Sequence, residues 1–107
     1  MGDYDPQSTR LLTFFDAVGD FESGRDTPRD YLERSIATIE ARERDVKAFV
    51  VMDLDRSRAA ADASTERYKA GQPLSLIDGM PMGIKDLYDT ADMPTQLNSP
   101  LFEGMQP

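Results

Sequence analysis

Two short apolar runs, residues 48–52 and 80–84, constrain this chain more than any other feature of it. Ala48-Phe49-Val50-Val51-Met52 contains no polar side chain and is rich in residues that favour extended backbone. A run of that length without polar alternation reads as a strand buried on both faces, which needs helices packed against it. Met80-Pro81-Met82-Gly83-Ile84 reads as a second, shorter buried strand, interrupted by Pro81 and Gly83. The rest of the chain must then supply helices to cover them.

Three helices are expected. The first follows Asp5-Pro6, with Asp5 as N-cap and Pro6 at the first helical position. Leu11, Leu12, Phe14, Phe15 and Val18 give it an apolar face, and Gly19 is the expected stop. Residues 20–26 then read as a loop. The second helix has the sharpest start: Thr27 as N-cap, Pro28 at the first helical position and Asp30 three residues on, a short-armed capping box. It runs over 28–44, with Tyr31, Leu32, Ser35, Ile36 and Ile39 on one side and most of its charges elsewhere as a solvated face. The third begins near residues 53–55, passes through Ala59-Ala60-Ala61 and ends at about Ala70, with Gly71 as the stop. Beyond Ile84, Pro94, Pro100, Gly104 and Pro107 punctuate the chain and predict no long regular element.

Composition removes several kinds of chemistry. The chain has 107 residues, no cysteine and no histidine, so disulfides, thiolate metal sites and Ser-His or Cys-His dyads are excluded within it. A hydrophobic content of 39% is too high for a typical disordered chain. Its 20 acidic and 12 basic residues leave a net charge of −8, which argues against a general phosphate-binding surface. No apolar run approaches the roughly 20 residues of a membrane-spanning helix. Nor does the acidic N-terminus read as a secretory signal, so a cytoplasmic location is expected. Neither nucleic acid nor membrane is an expected partner.

Chemistry is concentrated in Leu76-Ile77-Asp78-Gly79-Met80-Pro81-Met82-Gly83-Ile84-Lys85-Asp86. A Gly-x-Pro turn leads into the second apolar run, and that run ends in a Lys-Asp pair. Lysine is rarely buried without a partner, so residue physics alone has Lys85 leave the strand for solvent or pair with Asp86. Asp86, Asp89 and Asp92 recur every three residues, but no closed ligand loop surrounds them, and turn and cap roles are expected rather than a metal site.

The segment resembles the amidase-signature family. The matching pattern is Leu76, then Gly79-Met80-Pro81, three mostly apolar residues, and Lys85-Asp86, continuing through residues 87–95. Upstream, a capped helix, an Ala-Phe-Val run and an Ala-rich helix stand in the family's order. The resemblance covers roughly residues 27–107, with 1–26 as an N-terminal helix and loop. Met80 stands where Ile is commoner, and Asp92 and Asn98 stand where many members have Gly.

The resemblance implies an α/β fold, with a mixed central sheet covered by helices, to which this portion gives mainly helices and one or two strands. It also implies carboxamide hydrolysis by a Ser–cis-Ser–Lys triad with Lys85 as the base, no cofactor and a small-molecule amide as substrate. Such a lysine must be neutral, against roughly 4–5 kcal/mol of protonation preference at pH 7. Burial supplies that kind of shift. The two serines of the triad belong to Gly-Ser-rich sequence in the family. None of Ser8, Ser23, Ser35, Ser57, Ser64, Ser75 and Ser99 has such a context, and Ser99 reads as structural. The expectation is an amidase portion truncated before its serines, inactive alone, and prone to self-association or to pairing with a C-terminal part. The alternatives are a non-enzymatic helical interaction module and a piece of a transfer-RNA-dependent amidotransferase subunit.

Overall fold

The computed structural model describes residues 5, 7, 8 and 13–107. Three helices dominate the described residues: α1 (Phe14–Ser23), α2 (Pro28–Val46) and α3 (Leu54–Lys69). A 3₁₀ turn, Pro100–Phe102, follows in the tail. None of the described residues forms a strand. The expected strands at 48–52 and 80–84 are therefore corrected to irregular segments, with a bend at Val50. The physical reason is pairing. A strand exists through a hydrogen-bonded neighbour, and the described residues offer these segments none.

The helix boundaries follow local chemistry. Thr27 caps α2 as expected, its hydroxyl oxygen accepting the Asp30 N–H at 3.1 Å, with Pro28 in the first turn. Lys47 closes α2 in the left-handed region at φ 52°, its N–H reaching the Glu43 carbonyl at 2.8 Å. Asp53 caps α3 through the Arg56 N–H at 3.2 Å. The chain leaves α3 through Gly71 at φ 69°, where the Gln72 N–H returns to the Arg67 carbonyl.

The first helix departs from expectation. It starts after Thr13, where the Asp16 carboxylate accepts the Thr13 N–H and hydroxyl. Gly19 lies inside α1, and the left-handed stop is Gly24 at φ 78°. Residues 20–23, expected as loop, are helical because Phe21 is drawn into the core, where it is 3% exposed. Phe15, placed on the apolar face by spacing, is 67% exposed. Asp5 caps a small turn instead, accepting from the Gln7 N–H and the Ser8 hydroxyl. Pro6, Leu11 and Leu12 lie outside the described residues.

Among the described residues, two clusters hold the helices together. Phe14, Phe21, Tyr31 and Tyr68 stack edge-on or tilted, with ring centroids 5.3–5.8 Å apart, and join α1, α2 and α3. Leu32 and Ile36 of α2 meet Ala61 of α3, with Leu54 packed alongside. Ala61 lets the two backbones approach. Glu33 then accepts from both Arg29 and Arg58, and Arg29 also reaches Asp62, so ion pairs flank the α2–α3 seam. No described helix is long and apolar enough to cross a membrane.

Candidate active site

The site grows from a polar clamp at the end of α3. Ser64, Arg67 and Tyr68 fall at i, i+3 and i+4, which places them on one face of the helix. That face meets Asp78. The Asp78 carboxylate accepts from the Ser64 hydroxyl at 2.8 Å, from Arg67 Nε at 2.8 Å and Nη2 at 2.6 Å, and from the Leu74 N–H at 3.0 Å. The Tyr68 hydroxyl donates to the Asp78 backbone carbonyl at 2.9 Å. The forked guanidinium, reinforced by the Leu74 and Ser64 donors, holds the carboxyl well below the usual carboxylate range and outweighs its burial.

Gly79 follows at φ 88° and is pressed against α2 and α3. A Cβ there would stand 2.9 Å from Pro28 Cβ and 2.9 Å from Ser64 Oγ. Only glycine satisfies both the turn and the close approach. The root of the Gly-x-Pro turn is thereby fixed to the helices, and the irregular segment 80–84 leaves from a defined point.

That segment runs along an open groove of about 910 Å³, lined among others by Ile36, Phe49, Met52, Met82 and Lys85. Lys85 sits at the end of the segment and is exposed. The expectation of a base buried at the end of a strand is corrected for the described structure, because no part of it covers the groove here. Nor does Lys85 pair with its neighbour. The Asp86 carboxylate turns the other way, accepting the Gln96 N–H at 2.8 Å and the Asn98 N–H at 3.1 Å. These backbone donors hold the Asp86 carboxyl below its ordinary range.

Asp86 thereby ties the turn after Lys85 to a second loop. Leu97 and Asn98 occupy the left-handed region at φ 53° and 50°, and Gln96 Oε1 accepts the Gly104 N–H at 2.6 Å. Thr95 donates its hydroxyl to the Tyr88 carbonyl and its N–H to the Met105 carbonyl. Ser99 caps the 3₁₀ turn through the Leu101 N–H at 3.3 Å, the structural role expected of it. Asp86 joins two loops through the Gln96 and Asn98 N–H groups, and Asp92 lies 3.8 Å from Arg56. Among the described residues no three carboxylates gather into a metal site.

Asp78 lies in the chemistry-bearing segment, but nothing local in the sequence ties it to Ser64 and Arg67. Their signal was present as a polar stripe on an otherwise Ala-rich helix, followed by an Asp immediately before the turn glycine.

The segment from α2 to the tail also matches a family model described as Amidase, over residues 30–107. The chain belongs to the amidase family. Its relatives include a glutamyl-tRNA(Gln) amidotransferase subunit of Myxococcus xanthus strain DK1622. That protein is 33% identical over 96 residues, covering 90% of this chain and 20% of the relative. The protein of the same name from Chloroflexus aggregans is 38% identical over 85 residues, covering 79% of this chain and 17% of the relative. A solved chain agrees in backbone with a TM-score of 0.81 at 30% identity, over 90% of this chain and 21% of its own length. It comes from work on a vestigial protein complex and the evolutionary origins of an s-triazine catabolic enzyme. This amidase-family chain spans about one fifth of the length of these relatives. The shared stretch contains the Asp78 clamp, the groove segment and Lys85.

Proposed function

We propose that this chain supplies the base of an amide-cleaving centre, with Lys85 as the residue that takes the proton. The observation that carries the reading is the placement of Lys85: inside the amidase-matched stretch, at the rim of the groove, on a segment anchored at Asp78–Gly79 and again at Asp86. Residues 27–107 then form the N-terminal portion of an amidase domain of α/β architecture, and residues 1–26 an added helix and loop.

In this reading a serine hydroxyl from outside these 107 residues attacks the carboxamide carbon. Its proton passes through a second serine to the Lys85 amine. The C–N bond breaks, the amine leaves with a proton, and water hydrolyses the acyl-serine. A lysine base works from a desolvated site, so the groove must be covered for turnover. No residue of this chain acts as nucleophile, and members of such a triad act as a unit.

The test is an amide-hydrolysis assay on this chain alone and together with the remaining portion of an amidase relative. The chain alone is expected to be inactive. The combination is expected to release ammonia or amine, with Lys85→Ala lowering the rate at least a hundredfold. Activity that survives Lys85→Ala would remove the role assigned here.

A second reading is favoured by the names of the relatives. It makes this chain part of an amidotransferase subunit that acts on misacylated transfer RNA. The net charge of −8 argues against a general phosphate-binding surface on this chain, so most RNA contacts would come from elsewhere in the assembly. Ammonia transfer to glutamyl-tRNA by a reconstituted assembly, absent with simple amides alone, would select it.

A further inference from the structure

We infer that Asn98 is the specificity-determining residue of the proposed centre, selecting small carboxamides that carry a hydrogen-bonding group beside the scissile carbonyl. This rests on the reading of Lys85 as the base and names the substrate class that goes with it. The observation behind it is a strained turn. The Ser99 N–H reaches the Gln96 carbonyl at 3.0 Å, and both central residues of that turn, Leu97 and Asn98, hold positive φ of 53° and 50°. Turns with two left-handed residues favour Gly, Asn and Asp, and leucine is none of these. The Asp86 carboxylate holds the turn in this form, accepting the Gln96 and Asn98 N–H groups at 2.8 and 3.1 Å. Strain held in place by a partner marks functional segments, and here the partner is the residue next to Lys85 in the chain.

Asn98 is thereby tethered beside the base, and both it and Lys85 line the groove. Asn98 is exposed, and its side-chain carboxamide hydrogen-bonds to no described residue. That leaves two donors and an acceptor for a ligand. Much of the surrounding lining is apolar, from Ile36, Phe49, Met52 and Met82. A mostly apolar site orients its ligand through a few fixed polar groups. An amide placed to pass a proton toward Lys85 would set the substituent beside its carbonyl within reach of Asn98. A hydroxyl or a second carboxamide there is matched, whereas a methyl leaves the asparagine desolvated and unpaired. Glycine would fit the turn with less strain, so the turn alone does not ask for asparagine.

The experiment takes the combination of this chain with the remaining portion of an amidase relative and compares glycolamide with propionamide, which has a methyl in place of the hydroxyl. Expected is a kcat/KM for glycolamide at least about tenfold above that for propionamide. Asn98→Gly is expected to bring the ratio of the two to about one. The same substitution should leave the urea midpoint of the isolated chain unchanged or raised, because glycine adopts the left-handed turn freely; the lost preference is then not a loss of folding. Equal efficiency toward the two amides before any substitution would overturn the proposal. So would a preference that persists in Asn98→Gly, or a fall in both efficiencies that keeps their ratio, since a turn residue with only a structural role behaves that way. Hydrolysis that survives Lys85→Ala while the ratio still depends on Asn98 would count against the base and leave this residue standing.

Discussion

Four hydrogen bonds converge on the Asp78 carboxylate, whose side chain is 3% exposed. Asp78→Ala would leave the Ser64 hydroxyl buried without its acceptor and the Arg67 guanidinium without its fork. A loss of about 2–4 kcal/mol is expected, since bonds to charged groups are the strong ones and breaking one side of a buried pair is costly. Urea denaturation followed by helical circular dichroism measures it. The pH dependence has a definite sign. The folded pKa of Asp78 is depressed, so its stabilisation is present above the unfolded value of about 3.9 and is lost as pH falls below that toward the folded value. Urea midpoints should therefore drop between pH 5 and pH 3, and Asp78→Asn should flatten that drop; parallel curves for the two proteins would contradict the assignment. Gly79→Ala places a Cβ against Pro28 and Ser64 at positive φ. It should cost about 2 kcal/mol or more through strain and overpacking, and a smaller cost would mean that the turn can move away from α2.

At the scale of the elements, α1 and α2 differ in how their ends are set. Thr27 satisfies a first-turn N–H of α2 directly, so Thr27→Ala should cost about 1 kcal/mol. Gly19 sits in the interior of α1, exposed, with nothing within 4 Å of an added Cβ. Gly19→Ala should therefore stabilise the chain by about 0.5–1 kcal/mol. The thermal midpoint would rise by a few degrees; a fall would show that the helix does end at Gly19.

The whole molecule is flat and open. Its extents are 47 × 42 × 21 Å and its radius of gyration is 16.5 Å, against about 13 Å for a compact chain of about 100 residues. Its small clusters sit between helices while the groove face stays solvated. The isolated chain should therefore bind ANS and unfold over a broad thermal range. Charge adds a condition. With −8 per chain, self-association should be weak at low ionic strength and should grow as added salt screens the repulsion over a shorter distance. Light scattering at about 0.01 M and 1 M salt tests this, and equal masses at both would argue against exposed apolar surface as the driving force.

The sequence by itself determined whatever depends on near neighbours in the chain. Thr27-Pro28 begins α2, Asp53 begins α3 and Gly71 ends it, because a cap is decided by residues within one turn of it. The lysine at the end of the Gly-x-Pro segment was legible through a pattern of linked residues. The tertiary structure decided what depends on distant partners. Gly19 reads as a stop until Phe21 is seen to need Tyr68, 47 positions away, and then the helix must continue to Gly24. Asp78 looks like an ordinary turn residue until α3 brings Ser64 and Arg67 to it. Residues 48–52 and 80–84 have the composition of strands, but composition supplies no hydrogen-bonding neighbour. A helix closes its hydrogen bonds within itself, whereas a strand becomes one only when another backbone lies beside it.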